Sequence, residues 1–328
     1  METAIKTNGL SKQYGNILAV DQVDLEVFRG EIFAFLGPNG AGKTTTVRML
    51  TSLTKPSSGT ASIFGLDCVR ESLAVKQKIG VVAEVSNLYN EMSAWENLMF
   101  IGQLYGVDKI TRNERAKQLL EAFQLYDRRN ERVIGYSKGM KRRIRIAAAL
   151  IHRPEVLFLD EPTSGLDVQS SRLIRSLVRE LNKGGMTIFL TTHYIDEADQ
   201  LSDRVAIIKQ GKIVLEGSPE KLKSSLQEEQ IVEVAFNRNI SDLKESLFQP
   251  FVREVAKQGD KYHIHTTKAS AVIEIIVKFA QANGLEIISL NTSKPSLEDV
   301  FVKYTGLDAV QLERMELLKT VKGSAPRG

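Results

Sequence analysis

The sequence predicts an α/β fold, a mainly parallel sheet flanked by helices, followed by a smaller α+β unit. Three observations lead there. Residues 32–36, 156–159 and 187–190 are short apolar runs without polar alternation, the pattern of strands buried on both faces. An amphipathic helical stretch separates the last two, the alternation that a parallel sheet requires. After Pro219 the pattern changes to the order β-α-β-β-α-β, that of a ferredoxin-like unit.

In chain order, residues 18–27 have a period of two, and Arg29-Gly30 turns the chain into the strand at 32–36. That strand runs into Gly37-Pro38-Asn39-Gly40-Ala41-Gly42-Lys43-Thr44-Thr45, which fits G-x-x-x-x-G-K-[ST], and residues 45–50 open a helix. Strand, glycine loop and helix N-terminus are the context in which such a loop cradles polyphosphate on its backbone N–H groups. Lys43 is placed to reach the outer phosphates and the Thr44 hydroxyl to ligate Mg²⁺. The chain is therefore expected to bind a nucleoside triphosphate. Residues 73–150 read as mainly helical, with apolar groups at helical spacing between charges over 112–123.

The strand at 156–159 leads into Asp160-Glu161. A buried strand that ends in an acid presents a carboxylate to Mg²⁺, which suits Asp160, and Glu161 is then placed to take a proton from the attacking water. Thr191-Thr192-His193 ends the next buried strand, where His193 shares a sheet edge with the phosphate loop. The bland alternative, a surface or core histidine, stands level with it on position alone. Tyr136-Ser137-Lys138-Gly139-Met140 precedes a helix, with Ser137 as an N-cap and Gly139 leaving N–H groups open for an anion. The basic run that follows reads equally well as a solvated helix face. Residues 205–208 and 212–215 form a hairpin about Gln210-Gly211, and 224–230 read as a linker. Beyond it come a strand (231–236), a helix (241–248), strands at 252–256 and 262–265, a helix (270–282) and a strand (286–290). Ser296 caps a final helix through Phe301, with Asp299 in a capping-box position. From Leu307 a loose helix and then disorder are expected.

Composition narrows the function classes. A chain of 328 residues with 42% hydrophobic and 26% charged content fits one large and one small domain. Its 44 basic and 40 acidic residues leave a formal charge of +4, too mild to argue for nucleic acid, and no nucleic-acid partner is expected. One cysteine, Cys68, permits no internal disulfide and suits a reducing compartment. No run approaches the roughly 20 apolar residues of a membrane span, and the N-terminus is no signal peptide. The expectation is a soluble, cytoplasmic protein whose membrane role, if any, comes through a partner.

Taken together, the phosphate loop at 37–45, Ser137 to Met140, Asp160-Glu161, Ser164-Gly165-Leu166-Asp167 and His193 resemble the nucleotide-binding subunit of an ATP-binding-cassette (ABC) transporter. The likeness covers residues 4–222. It implies a P-loop NTPase core with a β-subdomain and a helical subdomain near 85–150, an ATP-binding domain over 1–224, an accessory α+β domain over 225–306, and a tail from 307 to 328. By resemblance Tyr14 takes the adenine-stacking position, Lys43 and Thr44 the phosphate and Mg²⁺ positions, Asp160 a second Mg²⁺ position and Glu161 the general base. His193 falls on the γ-phosphate histidine. Ser137 and Gly139 match signature contacts made in trans to ATP on a second cassette, and Asp167 matches the loop crossing that dimer interface. Two departures stand out: Lys138 and Met140 alter the signature, and Glu84 stands where the family places glutamine as a Mg²⁺ ligand. Residues 295–306 resemble the end of daunorubicin-resistance-type, ABC-2 exporter ATPases. The implied protein is an ATPase on the cytoplasmic side of the membrane that drives a separate permease and pairs with a second ABC subunit, expected to be an identical copy. The rivals are a soluble cassette of translation or DNA maintenance, and a regulatory nucleotide-binding subunit.

Overall fold

The computed structural model describes residues 2–83, 88–226, 230–238, 240, 243, 247–293 and 295–306. These divide into two compact units that meet in sequence between Ser218 and Pro219.

The first unit begins with two long antiparallel strands, β1 (Thr3–Tyr14) and β2 (Ile17–Phe28), then β3 (Ile32–Leu36), α1 (Lys43–Leu50), β4 (Ser58–Ile63) and β5 (Leu66–Asp67). There follow α2 (Ser72–Lys78), β6 (Ile79–Val82), α3 (Ala94–Leu104), α4 (Lys109–Ala122) and α5 (Lys138–Ala149). The unit closes with β7 (Val156–Asp160), α6 (Val168–Lys183), β8 (Thr187–Thr192), α7 (Ile195–Leu201), β9 (Arg204–Lys209) and β10 (Lys212–Gly217). One sheet has the order β2-β1-β4-β5 and is antiparallel. The other has the order β10-β9-β3-β8-β7-β6, parallel except for the β10 edge.

Every residue of β3, β7 and β8 is buried, which explains why these strands show no polar alternation in the sequence. Their aromatic rings meet at Phe189, whose centroid lies 5.6 Å from Phe33, 5.7 Å from Phe35 and 5.4 Å from Phe158. The register aligns the strand ends: Leu36 pairs with Thr192, and Asp160 with Thr191. The segments after β3, β7 and β8 therefore leave the same edge of the sheet.

Residues 73–150 are mainly helical, as expected, and one short strand lies among the helices: Ile79–Val82 forms the outer parallel strand β6 against β7. The hydrogen-bonding edge of β7 recruits this short run, whatever the helical period around it. Beyond it the helices start where side chains satisfy free N–H groups. Ser93 and Glu96 cap each other at α3 (3.1 and 2.8 Å), and Asp108 caps α4.

The second unit contains α8 (Pro219–Ser224), β11 (Gln230–Phe236), β12 (Val252–Gln258), β13 (Lys261–Thr266), α9 (Ala269–Ala282), β14 (Ile287–Ser293) and α10 (Leu297–Thr305). Its antiparallel sheet has the order β12-β13-β11-β14, that of a ferredoxin-like unit. Val232, Val234, Phe236, Tyr262 and Ile264 pack with Val272, Ile276 and Ala280 of α9. The helix expected at 241–248 falls largely outside the described residues. Ser296 caps α10 in a capping box with Asp299. Among the described residues, no helix is long and apolar enough to cross a membrane.

Phe189→Ala should lower stability by about 3–5 kcal/mol, since it removes the ring against which three others pack. A denaturant titration would show this as a lower midpoint; an unchanged midpoint would place the core's keystone elsewhere.

Candidate functional site

Residues 37–42 join β3 to α1. Gly42 has φ 110°, a left-handed conformation that side chains rarely adopt, and it turns the chain so that α1 starts at Lys43. The loop is pinned by hydrogen bonds from Gly37 N–H to Thr192 O (3.2 Å), Gly211 N–H to Ala41 O (2.9 Å) and Thr46 N–H to Gly42 O (2.9 Å). Asn39, Gly40, Gly42, Lys43, Thr44 and Thr45 line a cleft of about 220 Å³, and Gly37, Pro38 and Ala41 are not part of its lining. Glu161 and His193 line the same cleft, as do Ala19 and Ser164.

The cleft wall carries a row of ionisable side chains. Lys43 Nζ donates to Gly37 O (2.7 Å) and Pro38 O (3.3 Å), and it lies 3.2 Å from Glu161 Oε1. His193 Nδ1 lies 2.8 Å from Glu161 Oε2. Lys43, Glu161 and His193 are all buried. Burial alone would raise the Glu161 pKa, but the His193 hydrogen bond and the Lys43 charge outweigh it and hold the carboxyl below the usual glutamate value of 4.5. The Glu161 backbone is itself unusual, with φ 50°, and its N–H donates to Thr191 O (3.1 Å) and Thr191 Oγ1 (3.2 Å). A non-glycine residue held in the left-handed region typically costs about 1–3 kcal/mol, and such strain clusters at functional sites.

Asp160 is buried behind this row. Thr191 Oγ1 donates to its Oδ1, and Thr44 Oγ1 donates to its Oδ2 at 3.2 Å. Hydroxyl and carboxylate are hard oxygen donors, and two oxygens sharing one six-coordinate Mg²⁺ stand roughly 3 Å apart. The pair therefore fits that ion.

The other expected residues are not among those that line the cleft. Tyr14 ends β1 with its ring 45% exposed and Lys12 Nζ 5.1 Å from its centroid. Ser137 caps α5, its Oγ accepting the Met140 N–H at 3.2 Å. Both oxygens of Asp167 are engaged in capping α6, accepting the Ser170 N–H and hydroxyl at 2.8 Å each. Ser170 also lies so close to Gly139 that a Cβ there would run into its hydroxyl, which brings the start of α5 against the first turn of α6. Glu84 lies outside the described residues. Ser164 was quoted only as part of a motif, and Ala19 and Thr191 were given no role from the sequence, because their places come from strands and loops brought together by the fold.

The first unit matches the family model described as ABC transporter over residues 20–164, and residues 217–305 match the C-terminal domain of DrrA1-3-like ATP-binding proteins. The chain is 38% identical over 309 residues to the daunorubicin resistance ATP-binding protein DrrA3 of Streptomyces coeruleorubidus, covering 94% of this chain and 97% of that protein. It is 37% identical over 305 residues to the Nod factor export ATP-binding protein I of Rhizobium sp. (strain N33), covering 93% and 98%. Among solved structures, a dimeric post-hydrolysis state of an ATP-binding cassette bound to ADP and Pi aligns with a TM-score of 0.59 and 28% identity. That alignment covers 65% of this chain and 98% of that one.

With its lowered pKa, Glu161 adds stability that is present above 4.5 and lost as pH falls through its folded value. Glu161→Gln removes that loss. Relative to the parent, its melting temperature should rise between about pH 6 and about pH 3; parallel curves would count against the charge row.

Proposed function

The chain belongs to the ABC transporter ATP-binding proteins of the daunorubicin-resistance type, and from that premise we propose that it is the ATP-hydrolysing subunit of an exporter whose permease is a separate chain. The observation that carries the reading is the buried row Lys43–Glu161–His193 at the mouth of the glycine loop. It gathers a phosphate-binding cation, a base and a second polar group in one cleft.

The loop N–H groups and Lys43 bind the phosphates of ATP, and Tyr14 stacks on the adenine. Thr44 and Asp160 hold Mg²⁺, and Glu84 is a further ligand by its place in the sequence. When bound, the ion draws charge from the phosphate oxygens. As polyphosphate enters, Lys43 exchanges the Glu161 carboxylate for phosphate oxygens. Burial then acts on Glu161 with less opposition, and its pKa rises toward the range of a working base. Glu161 takes a proton from water as the water oxygen bonds to the γ-phosphorus and the bridging P–O bond breaks. ADP and phosphate leave, and His193 orients the γ-phosphate during the step.

Ser137 and Gly139 act on ATP held by a second, identical copy, and Asp167 shapes the loop that crosses between the two. The dimeric state of the related cassette supports this pairing. The protein is peripheral to the membrane through its permease, and we place it on the cytoplasmic face, where ATP is supplied. Relatives named for resistance and export align over nearly the whole chain, which argues against the soluble translation or DNA-maintenance reading and against a purely regulatory subunit.

Glu161→Gln should keep ATP binding while turnover falls by about 10²–10⁴, the usual worth of a general base; near-parental turnover would remove Glu161 from that role. Purification from detergent-solubilised membranes of the native host should bring down a stoichiometric polytopic permease. Recovery with ribosomes or nucleic acid instead would refute the transport reading.

A further inference from the structure

A second acid stands behind the cleft. Glu197, in the first turn of α7, is 1% exposed. A glutamate there ordinarily reaches back to the N-cap backbone, but the Tyr194 N–H already donates to Thr192 Oγ1 at 3.0 Å. The Glu197 carboxyl instead faces the hydroxyls of Thr192 and Thr163, with the Glu161 charge opposing it and Arg175 of α6 favouring it. Neither of its oxygens closes a hydrogen bond of ordinary geometry. An apolar side chain would fill this place without the penalty of burying a carboxyl, so its presence calls for a use.

The two threonines stand next to the residues of the cleft. Thr163 lies two residues beyond Glu161 in the turn after β7. Thr192 directly precedes His193, and its carbonyl holds the Gly37 N–H of the phosphate loop. A bridge between these hydroxyls would tie Glu161, His193 and the loop together.

We propose that Glu197 is a positioning residue for ATP hydrolysis, which closes across Thr163 and Thr192 and so holds Glu161 and His193 in the geometry the reaction needs. The proposal rests on the reading of Glu161 as the base. Burial, reinforced by the Glu161 charge, raises the Glu197 pKa and favours its protonated form. A neutral acid has one O–H to give to one threonine and an oxygen to accept from the other, whereas an ionised one would set a second negative charge beside Glu161.

The test compares Glu197→Ala, Glu197→Gln and Thr163→Val with the parent and with Glu161→Gln, measuring kcat, KM and ATP affinity. Glu197→Ala should lower kcat by about 10–100-fold, the usual effect of losing a supporting hydrogen-bond partner, with ATP affinity unchanged. Glu197→Gln, whose amide can also donate and accept, should retain most of the turnover. Should Glu197→Ala fail to fold, Thr163→Val decides: reduced kcat at unchanged affinity supports the bridge, and parental kcat overturns it. The proposal is also overturned if Glu197→Ala turns over like the parent, if kcat and affinity fall in step, or if glutamine does no better than alanine. An active Glu197→Ala beside an inactive Glu161→Gln defeats this inference alone. An active Glu161→Gln defeats the underlying reading.

Discussion

The chemistry of the cleft depends on keeping one carboxylate, Glu161, ionised where the surroundings penalise charge. An isolated buried carboxylate would take up a proton rather than remain charged. Here Lys43 lies 3.2 Å from one oxygen and His193 2.8 Å from the other, and the net effect is a lowered pKa. Such a pair gives little net stability, because desolvation of both ions offsets most of their attraction. On the proposed function, what it provides is a latent base. The cation that suppresses basicity is also the one that phosphate attracts, so substrate entry and base activation become the same event.

The rest of the first unit serves to hold these three side chains together. They come from α1, the end of β7 and the end of β8, and the parallel register places those ends side by side. Four phenylalanines fix the spacing of the central strands beneath them. Two glutamates then follow opposite courses within this frame. Glu161 lies between Lys43 and His193 with its pKa lowered, while Glu197 is more deeply buried, faces the Glu161 charge, and has its pKa raised. In the proposed mechanism that contrast lets one acid accept a proton while the other supplies one to a structural bridge.

How much of this was legible in the sequence follows from whether the information is local. The phosphate loop was readable because loop, lysine and threonine lie within nine consecutive residues whose backbone needs are set by glycine. The buried strands were readable from unbroken apolar runs. The strand β6 was not, since four residues containing Gly80 give a weak β signal, and its identity comes from the waiting edge of β7. Asp160 and Glu161 were visible at a strand end, but the Thr191 hydroxyl that holds Asp160 is 31 residues away. Nothing local marks it, and nothing local marks Glu197, whose sequence surroundings are those of an ordinary amphipathic helix. Asp167 shows the converse. Its place in a motif was plain, yet only the structure reveals that both its oxygens are spent on Ser170.

The altered signature can be weighed in the same terms. Helix α5 has no acidic residue in its first turn, and its first residue is the exposed Lys138. A cation at a helix N-terminus opposes the helix dipole by roughly 0.3–1 kcal/mol. Lys141 and Arg143 are committed within the chain, to Ile134 O at 3.1 Å and Phe123 O at 2.8 Å. The chain thus carries an electrostatic penalty at the place where Ser137 caps the helix and Gly139 touches Ser170. An anion brought by another molecule turns that penalty into attraction, because dipole and lysine then act on it together. In the proposed dimer, ATP on the partner supplies such an anion. The lysine departure is therefore compatible with a signature that binds phosphate in trans, and it makes the closed dimer more dependent on nucleotide charge than a glycine would.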